Sequence, residues 1–175
     1  AAVAEADQGF TRALDGVRSL AEDEVLRAFA NLMRAVLRTN LYQRPERPVF
    51  SVKVDSHKVE AMPSPRPLVE IYVDARRLEG IHLRGGRIAR GGIRWSDRAD
   101  DYRTEILGLI KTQMVKNAVI VPVGAKGGFI VKGPPSPTAV ADAYRTLVRG
   151  QLDLTDNLEG DRVVTCGGRV LCAVG

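Results

Sequence analysis

Apolar residues along the chain switch between two periods, and the switches divide it. Over 22–40, Val25, Phe29, Leu32 and Val36 recur at helical spacing with Arg27, Arg34 and Arg38 between them, which predicts an amphipathic helix. A shorter helix is expected before it, around 10–20. Residues 43–48 end the pattern, because Pro45 and Pro48 cannot continue a helix. The period then falls to two. Phe50, Val52 and Val54 alternate with Ser51, Lys53 and Asp55, as in a half-buried strand. The stretch MPSPRP at 62–67 reads as an extended connector, 68–73 as a second strand, and 80–92 as two short β-prone pieces separated by Gly85 and Gly86.

Helical spacing returns from 98 to 116. Asp97 is placed to cap that helix, and Asp100 and Asp101 suit its positive N-terminal end. Tyr102, Ile106, Leu109 and Ile110 form its expected inner face. At about 100° per residue, Gln113 and Lys116 fall on or beside the same face. Two polar groups turned inward need partners, since unpaired burial is costly. Beyond the helix, 118–121 reads as a short apolar strand closed by Pro122, 124–128 as a tight Gly-rich turn, and 129–131 as another strand. Ser136 is positioned to cap a last helix, with Pro137 at its first position and Gly150 as its stop. The order of elements implies an α/β fold with a mixed sheet flanked by helices and an N-terminal helical arm over 1–42. No G-x-G-x-x-G opens a helix, so no complete Rossmann domain is expected.

Composition narrows the class. Apolar residues make up 45 % of the 175, enough for a sizeable core, but aromatics only 5 %, so aliphatic side chains must do most of the packing. The net charge of +5 is spread without any block of like sign, which argues against a nucleic-acid-binding arm. Cys166 and Cys172 are too few for a disulfide scaffold and have no histidine near them for a metal site, so none is expected. With no secretion signal and no long apolar run, the expectation is a cytoplasmic protein without a membrane partner.

The candidate chemistry lies between 90 and 128. Arg90 is followed by Gly91 and Gly92, and Lys126 sits in VGAKGG, where glycines let the backbone approach a ligand closely. Lys116 lies on the helix that leads into this second motif. A phosphate loop is a poor match, because Gly127 follows Lys126 where that motif needs Ser or Thr. An RNA-binding Arg/Gly tract over 84–94 is also a poor match, since Ile88 and Ile93 are interleaved in strand-like fashion. Convergent cations suit a dicarboxylate, with Arg offering a bidentate fork. A cation beside a lysine amine also favours the neutral form that acts as a base.

The segment 76–132, running LEGIHLRGGRIARGGIRWSDRADDYRTEILGLIKTQMVKNAVIVPVGAKGGFIVK from Leu78, resembles the large-type NAD-specific glutamate dehydrogenases. LRTNLYQ at 37–43 and DLTDN at 153–157 extend the resemblance to roughly 20–160. The elements R-G-G-I-R, Q-x-x-K and G-x-K-G-G are more weakly similar to the small hexameric glutamate dehydrogenases. The resemblance implies a substrate-binding domain over 43–160, L-glutamate and 2-oxoglutarate as ligands, NAD as cofactor, and a homo-oligomeric parent. It implies that Lys126 is the catalytic lysine. Lys116 and Gln113 match substrate-binding positions, and Arg90, Gly91 and Gly92 match the first substrate lysine and its glycine pair. Arg in place of Lys at 90, Val123 in place of a Gly, and a shorter Lys116-to-Lys126 spacing favour the large type. The family's catalytic aspartate lies beyond 153–157 and finds no match, and from about 161 a divergent or truncated tail is expected. The chain is therefore expected to be an incomplete dehydrogenase, inactive alone, with NAD bound by a domain it does not contain. The alternative is a non-catalytic dicarboxylate-binding module.

Overall fold

Residues 75 and 78 face each other across a two-residue reversal at Arg76 and Arg77, and the sheet is built outward from that hairpin. A computed structural model describes residues 2–42, 48–87, 89–116, 124–159 and 161–164. Strand β3 (Val69–Ala75) pairs antiparallel with β4 (Leu78–Arg84). On one side β2 (Val49–Asp55) and then β1 (Val36–Thr39) continue the antiparallel ladder. On the other, β6 (Ala125–Val131) pairs antiparallel with β4, and β5 (Ile93–Trp95) closes the edge parallel to β6. The sheet is thus mixed and six-stranded, in the order β1-β2-β3-β4-β6-β5. A small hairpin, β7 (Asn157–Glu159) with β8 (Arg162–Val164), stands apart from it.

Both faces of the sheet are covered, so its central strands are nearly continuously buried. Helix α3 (Tyr102–Lys116) joins β5 to β6 and covers one face, where Tyr102, Ile106 and Ile110 meet Ile81, Leu83 and Ile130. Helix α4 (Pro137–Leu152) covers the other, where Ala143 and Leu147 meet Ile71, Val73, Leu78 and Phe129. Polar contacts seat the first half of α3. Arg103 donates to both carboxylate oxygens of buried Glu70 at 3.2 and 2.8 Å, and Arg94 pairs with Glu105 at 2.8 Å. The Tyr102 hydroxyl donates to Glu79 at 2.9 Å, and burial and that contact push its ionisation far above the ordinary phenol range.

The N-terminal helices α1 (Ala2–Leu14) and α2 (Leu20–Ala35) precede the sheet. Asn31 fastens α2 to the loop after β2, donating to the Lys58 carbonyl and accepting from the Glu60 amide, both at 3.0 Å. Among the described residues no helix is long and apolar enough to cross a membrane.

Several sequence expectations are corrected. The helix expected over 22–40 ends at Ala35, and Val36–Thr39 is a strand, because the free edge of β2 offers ladder hydrogen bonds that outweigh the last turn of a helical pattern. The first helix lies over Ala2–Leu14 rather than 10–20. Asp97 does not cap α3, which opens at Tyr102 after a turn whose Arg98 carbonyl accepts from the Tyr102 amide at 3.0 Å. Leu109 sits at the margin of the buried stripe and is exposed. The stretch 124–128 is not a turn: it runs into and through β6, and its glycines serve close packing. Gly150 does not stop α4, which continues to Leu152. It is needed inside the helix because a β-carbon there would stand 2.7 Å from both Ser51 Oγ and Val73 Cγ1. Ser136 does cap α4, accepting from the Ala139 amide at 3.1 Å, with Pro137 first in the helix. The strand expected at 118–121, Pro45, Ile88, Cys166 and Cys172 lie outside the described residues.

Candidate active site

Strand β6 carries the sequence AKGGFIV, and its alternation decides what each residue faces. Phe129 packs with α4 and Ile130 with α3. Counting back by twos, Lys126 and Gly128 share the α3 face and Gly127 the α4 face. The glycines match this assignment. A β-carbon on Gly128 would stand 2.5 Å from Ile106 Cγ1, and one on Gly127 would stand 2.9 Å from Ile93 and 3.0 Å from the His82 ring. The two glycines let a helix and an imidazole close on opposite sides of the strand that holds Lys126. Lys126 itself is half-buried and opposite Leu83 of β4.

The segment 90–92 runs beside this strand. The Ala125 amide donates to the Arg90 carbonyl at 2.9 Å, and the Gly127 amide to the Gly92 carbonyl at 3.0 Å. Arg90 forms a parallel bridge with Gly124, and its side chain is exposed. A β-carbon on Gly91 would overlap the Ala125 carbonyl, so this glycine permits the approach, whereas Gly92 is uncrowded.

Gln113, in the last turn of α3, lies over Gly124. Its Oε1 is buried with no hydrogen-bond partner among the described residues. A buried amide oxygen without a donor is an expensive arrangement that a bound donor would relieve. Lys116 is the last residue of α3, and its side chain lies outside the described residues. The fold therefore gathers the Arg90-Gly91-Gly92 backbone, Gln113 and the strand of Lys126. The ion pairs that seat α3, Arg103 with Glu70 and Arg94 with Glu105, were not anticipated; no local spacing signals a partner about 33 residues away along the sequence, as with Arg103 and Glu70.

Across the sheet, His82 is held well below its ordinary range, at about 4, chiefly by burial and secondarily by Arg84. It is a neutral ring at physiological pH and does not act as a proton carrier there. No described group of three or more His, Cys, Asp or Glu gathers as a metal ion requires. Neither helix N-terminus that follows a strand fits a dinucleotide pyrophosphate. Asp100 and Asp101 precede α3, and α4 opens on Pro137 with the Ser136 hydroxyl taken by Ala139. Around Gly124 the arrangement offers an unpartnered amide oxygen that can accept a hydrogen bond and, two residues along the strand, a half-buried lysine.

Residues 9–172 match the protein family described as bacterial NAD-glutamate dehydrogenase, catalytic domain. The chain is 51 % identical over 163 residues to the NAD-specific glutamate dehydrogenase of Mycobacterium tuberculosis, covering 83 % of this chain and 10 % of that protein. It is 48 % identical over 170 residues to the enzyme of the same name from Pseudomonas aeruginosa, covering 90 % of this chain and 10 % of the relative. A Neurospora crassa protein of the same name is 31 % identical over 143 residues, 76 % of this chain and 13 % of its own length. The chain spans about a tenth of the bacterial relatives' length. The family match continues through 172, past the point near 161 where the sequence suggests a divergent tail.

Proposed function

The chain belongs to the bacterial NAD-glutamate dehydrogenase family, and from that premise we propose that its sheet, with α3 and α4, is the substrate-binding part of the catalytic domain. The whole polypeptide, in this reading, converts L-glutamate, NAD and water to 2-oxoglutarate, ammonium, NADH and a proton. Helices α1 and α2 form a helical arm that precedes this part in the chain. NAD is the hydride acceptor and is held by residues outside those described, since the helix termini here do not suit it.

Lys126 is assigned the catalytic amine. It takes the proton from the water that attacks the imine carbon and steadies the resulting carbinolamine. Arg90 and Lys116 are assigned the two substrate carboxylates, and Gln113 accepts a hydrogen bond through its unpartnered Oε1. Gly91 lets the Arg90 segment run close alongside β6, where the Gly92 carbonyl accepts from the Gly127 amide. The observation that carries this reading is the placing of Gln113 over Gly124, two residues from Lys126 on one face of the sheet.

The test is Lys126→Met in the whole polypeptide. Turnover should fall by roughly a hundredfold or more while NAD affinity and melting temperature are retained. Wild-type turnover in that variant would remove Lys126 from the chemistry. The 175-residue chain alone is expected to bind glutamate weakly and not to reduce NAD, which an absorbance assay for NADH checks directly.

A further inference from the structure

The face of the sheet opposite Lys126 holds a second concentration of positive charge. Ser51 lies beneath Gly150 of α4, so Lys53, two residues on, shares the α4 face. Arg84 shares it as well, two residues after His82, whose ring packs over Gly127 on that side. Arg38 is the direct cross-strand neighbour of Lys53, and Arg87 follows β4 in the chain. These four cations border a cavity of about 360 Å³ between the strands and the chain leaving α4.

One carboxylate, Asp156, borders the same cavity, and Arg38 holds it with two hydrogen bonds of 2.7 and 3.1 Å. No carboxylate pairs with Lys53, Arg84 or Arg87 among the described residues, and the one side-chain hydrogen bond of Arg84 found among them goes to the neutral Arg87 carbonyl at 2.9 Å. The wall also contains Gln151, whose Nε2 is buried with no acceptor among the described residues. Burial first, and then Arg38 and Arg84, hold the Lys53 amine below the ordinary lysine range against the opposing pull of Asp156. Uncompensated cations and a buried donor without an acceptor are both unfavourable, and an anion in the cavity relieves both.

We propose that this cavity binds a small oxyanion of two or more charges, gripped by Lys53, Arg84 and Arg87 with the Gln151 amide as a neutral donor. The volume lies at the small end of the range for ligand sites, which suits a di- or tricarboxylate or a phosphate group rather than a nucleotide. The two charges of the ligand answer cations on separate strands, so β2 and β4 are bridged when it is bound. The site lies across the sheet from Lys126 and stands whether or not Lys126 is catalytic.

The test uses the whole polypeptide, titrated with citrate and separately with inorganic phosphate at constant ionic strength, by calorimetry and thermal shift. One saturable site is expected, with affinity lowered roughly tenfold or more by Lys53→Met and likewise by Arg84→Met. Binding should survive Lys126→Met, which separates this cavity from the opposite face. Tighter citrate binding identifies an organic acid as the ligand class, and tighter phosphate binding a phosphate. Should one variant fail to fold, the other carries the comparison. The proposal is overturned if the folded wild-type protein binds neither anion saturably, if both variants bind as wild type, or if Lys126→Met abolishes binding.

Discussion

Gln113 rests on the bare backbone of Gly124: a β-carbon there would stand 2.5 Å from its Cγ and 2.6 Å from its Nε2. The last turn of α3 thereby reaches the strand that carries Lys126. The helix is brought to that position from its other end, where Tyr102, Arg103 and Glu105 make polar contacts with Glu79, Glu70 and Arg94. A rigid helix seated at its start thus fixes an amide at its finish.

Gly124→Ala should separate site geometry from stability. The atoms it meets belong to a flexible side chain, so unfolding free energy should fall by no more than about 1 kcal/mol. Gln113 must move, however, and kcat/KM of the whole polypeptide for glutamate should drop by roughly tenfold or more. Gly91→Ala meets backbone at the Ala125 carbonyl instead and should cost about 3 kcal/mol or more. Denaturant titration of the two variants checks the order. Equal stability losses would contradict the packing described.

Gly128 and Ile106 form a second tight pair, at 2.5 Å to Cγ1 and 2.6 Å to Cδ1 from a β-carbon at 128. Gly128→Ala should destabilise by about 1–3 kcal/mol, and Ile106→Ala by about 2–5 kcal/mol. Combined, they should cost less than their sum, because the new methyl enters the space the isoleucine leaves. A double-mutant cycle from urea unfolding measures that coupling, and strict additivity would show that the two residues do not meet.

The cap of α4 was legible because its signal is local: Ser136 and Pro137 act on amides within one turn. Strand β2 was legible because its two-residue alternation is local, but which face is buried was not: Ser51 is buried beneath Gly150 of α4, and Phe50 is exposed. The glycines were not. Glycine serves a turn and a close contact equally well, and what separates the two uses at Gly128 is Ile106, 22 residues away in sequence. Val36 continues the apolar spacing of Val25, Phe29 and Leu32, yet it pairs with Val54, a choice set by an unpaired strand edge that no local pattern reveals. At the candidate site the glycine-flanked cations could be read from the chain, but the hydrogen bonds from Ala125 and Gly127 to Arg90 and Gly92 depend on the β5-α3-β6 connection.

His82 makes stability depend on pH. Its folded-state pKa is depressed from 6.5 to about 4, so the folded ring refuses a proton that the unfolded chain accepts. Stability from this residue is fully present above about pH 6.5, is lost as pH falls towards about 4, and levels off below that, a total on the order of 3 kcal/mol. His82→Gln cannot titrate, so the difference between wild type and variant should shrink over that window. Urea unfolding at several pH values between about 7 and 4 checks it. A constant difference across the window would show that His82 is protonated equally in both states.

Two glycines inside helices should respond to alanine in opposite directions. By helix propensity alone, each Gly→Ala change stabilises by up to about 1 kcal/mol. Gly108 of α3 has nothing within 4 Å of its would-be β-carbon, so Gly108→Ala should realise that gain. Gly150 of α4 faces Ser51 Oγ and Val73 Cγ1 at 2.7 Å and Val49 Cγ1 at 3.0 Å. The two valines belong to strands and are stiff at χ1, so the helix rather than the side chains must yield. Overpacking of that kind costs about 1–3 kcal/mol, which exceeds the propensity gain, and Gly150→Ala should be destabilising. Melting temperatures of the two variants, compared with wild type, should therefore move apart, upward for Gly108→Ala and downward for Gly150→Ala. A rise in both would mean that α4 does not press on β2 and β3 as closely as the structure places it.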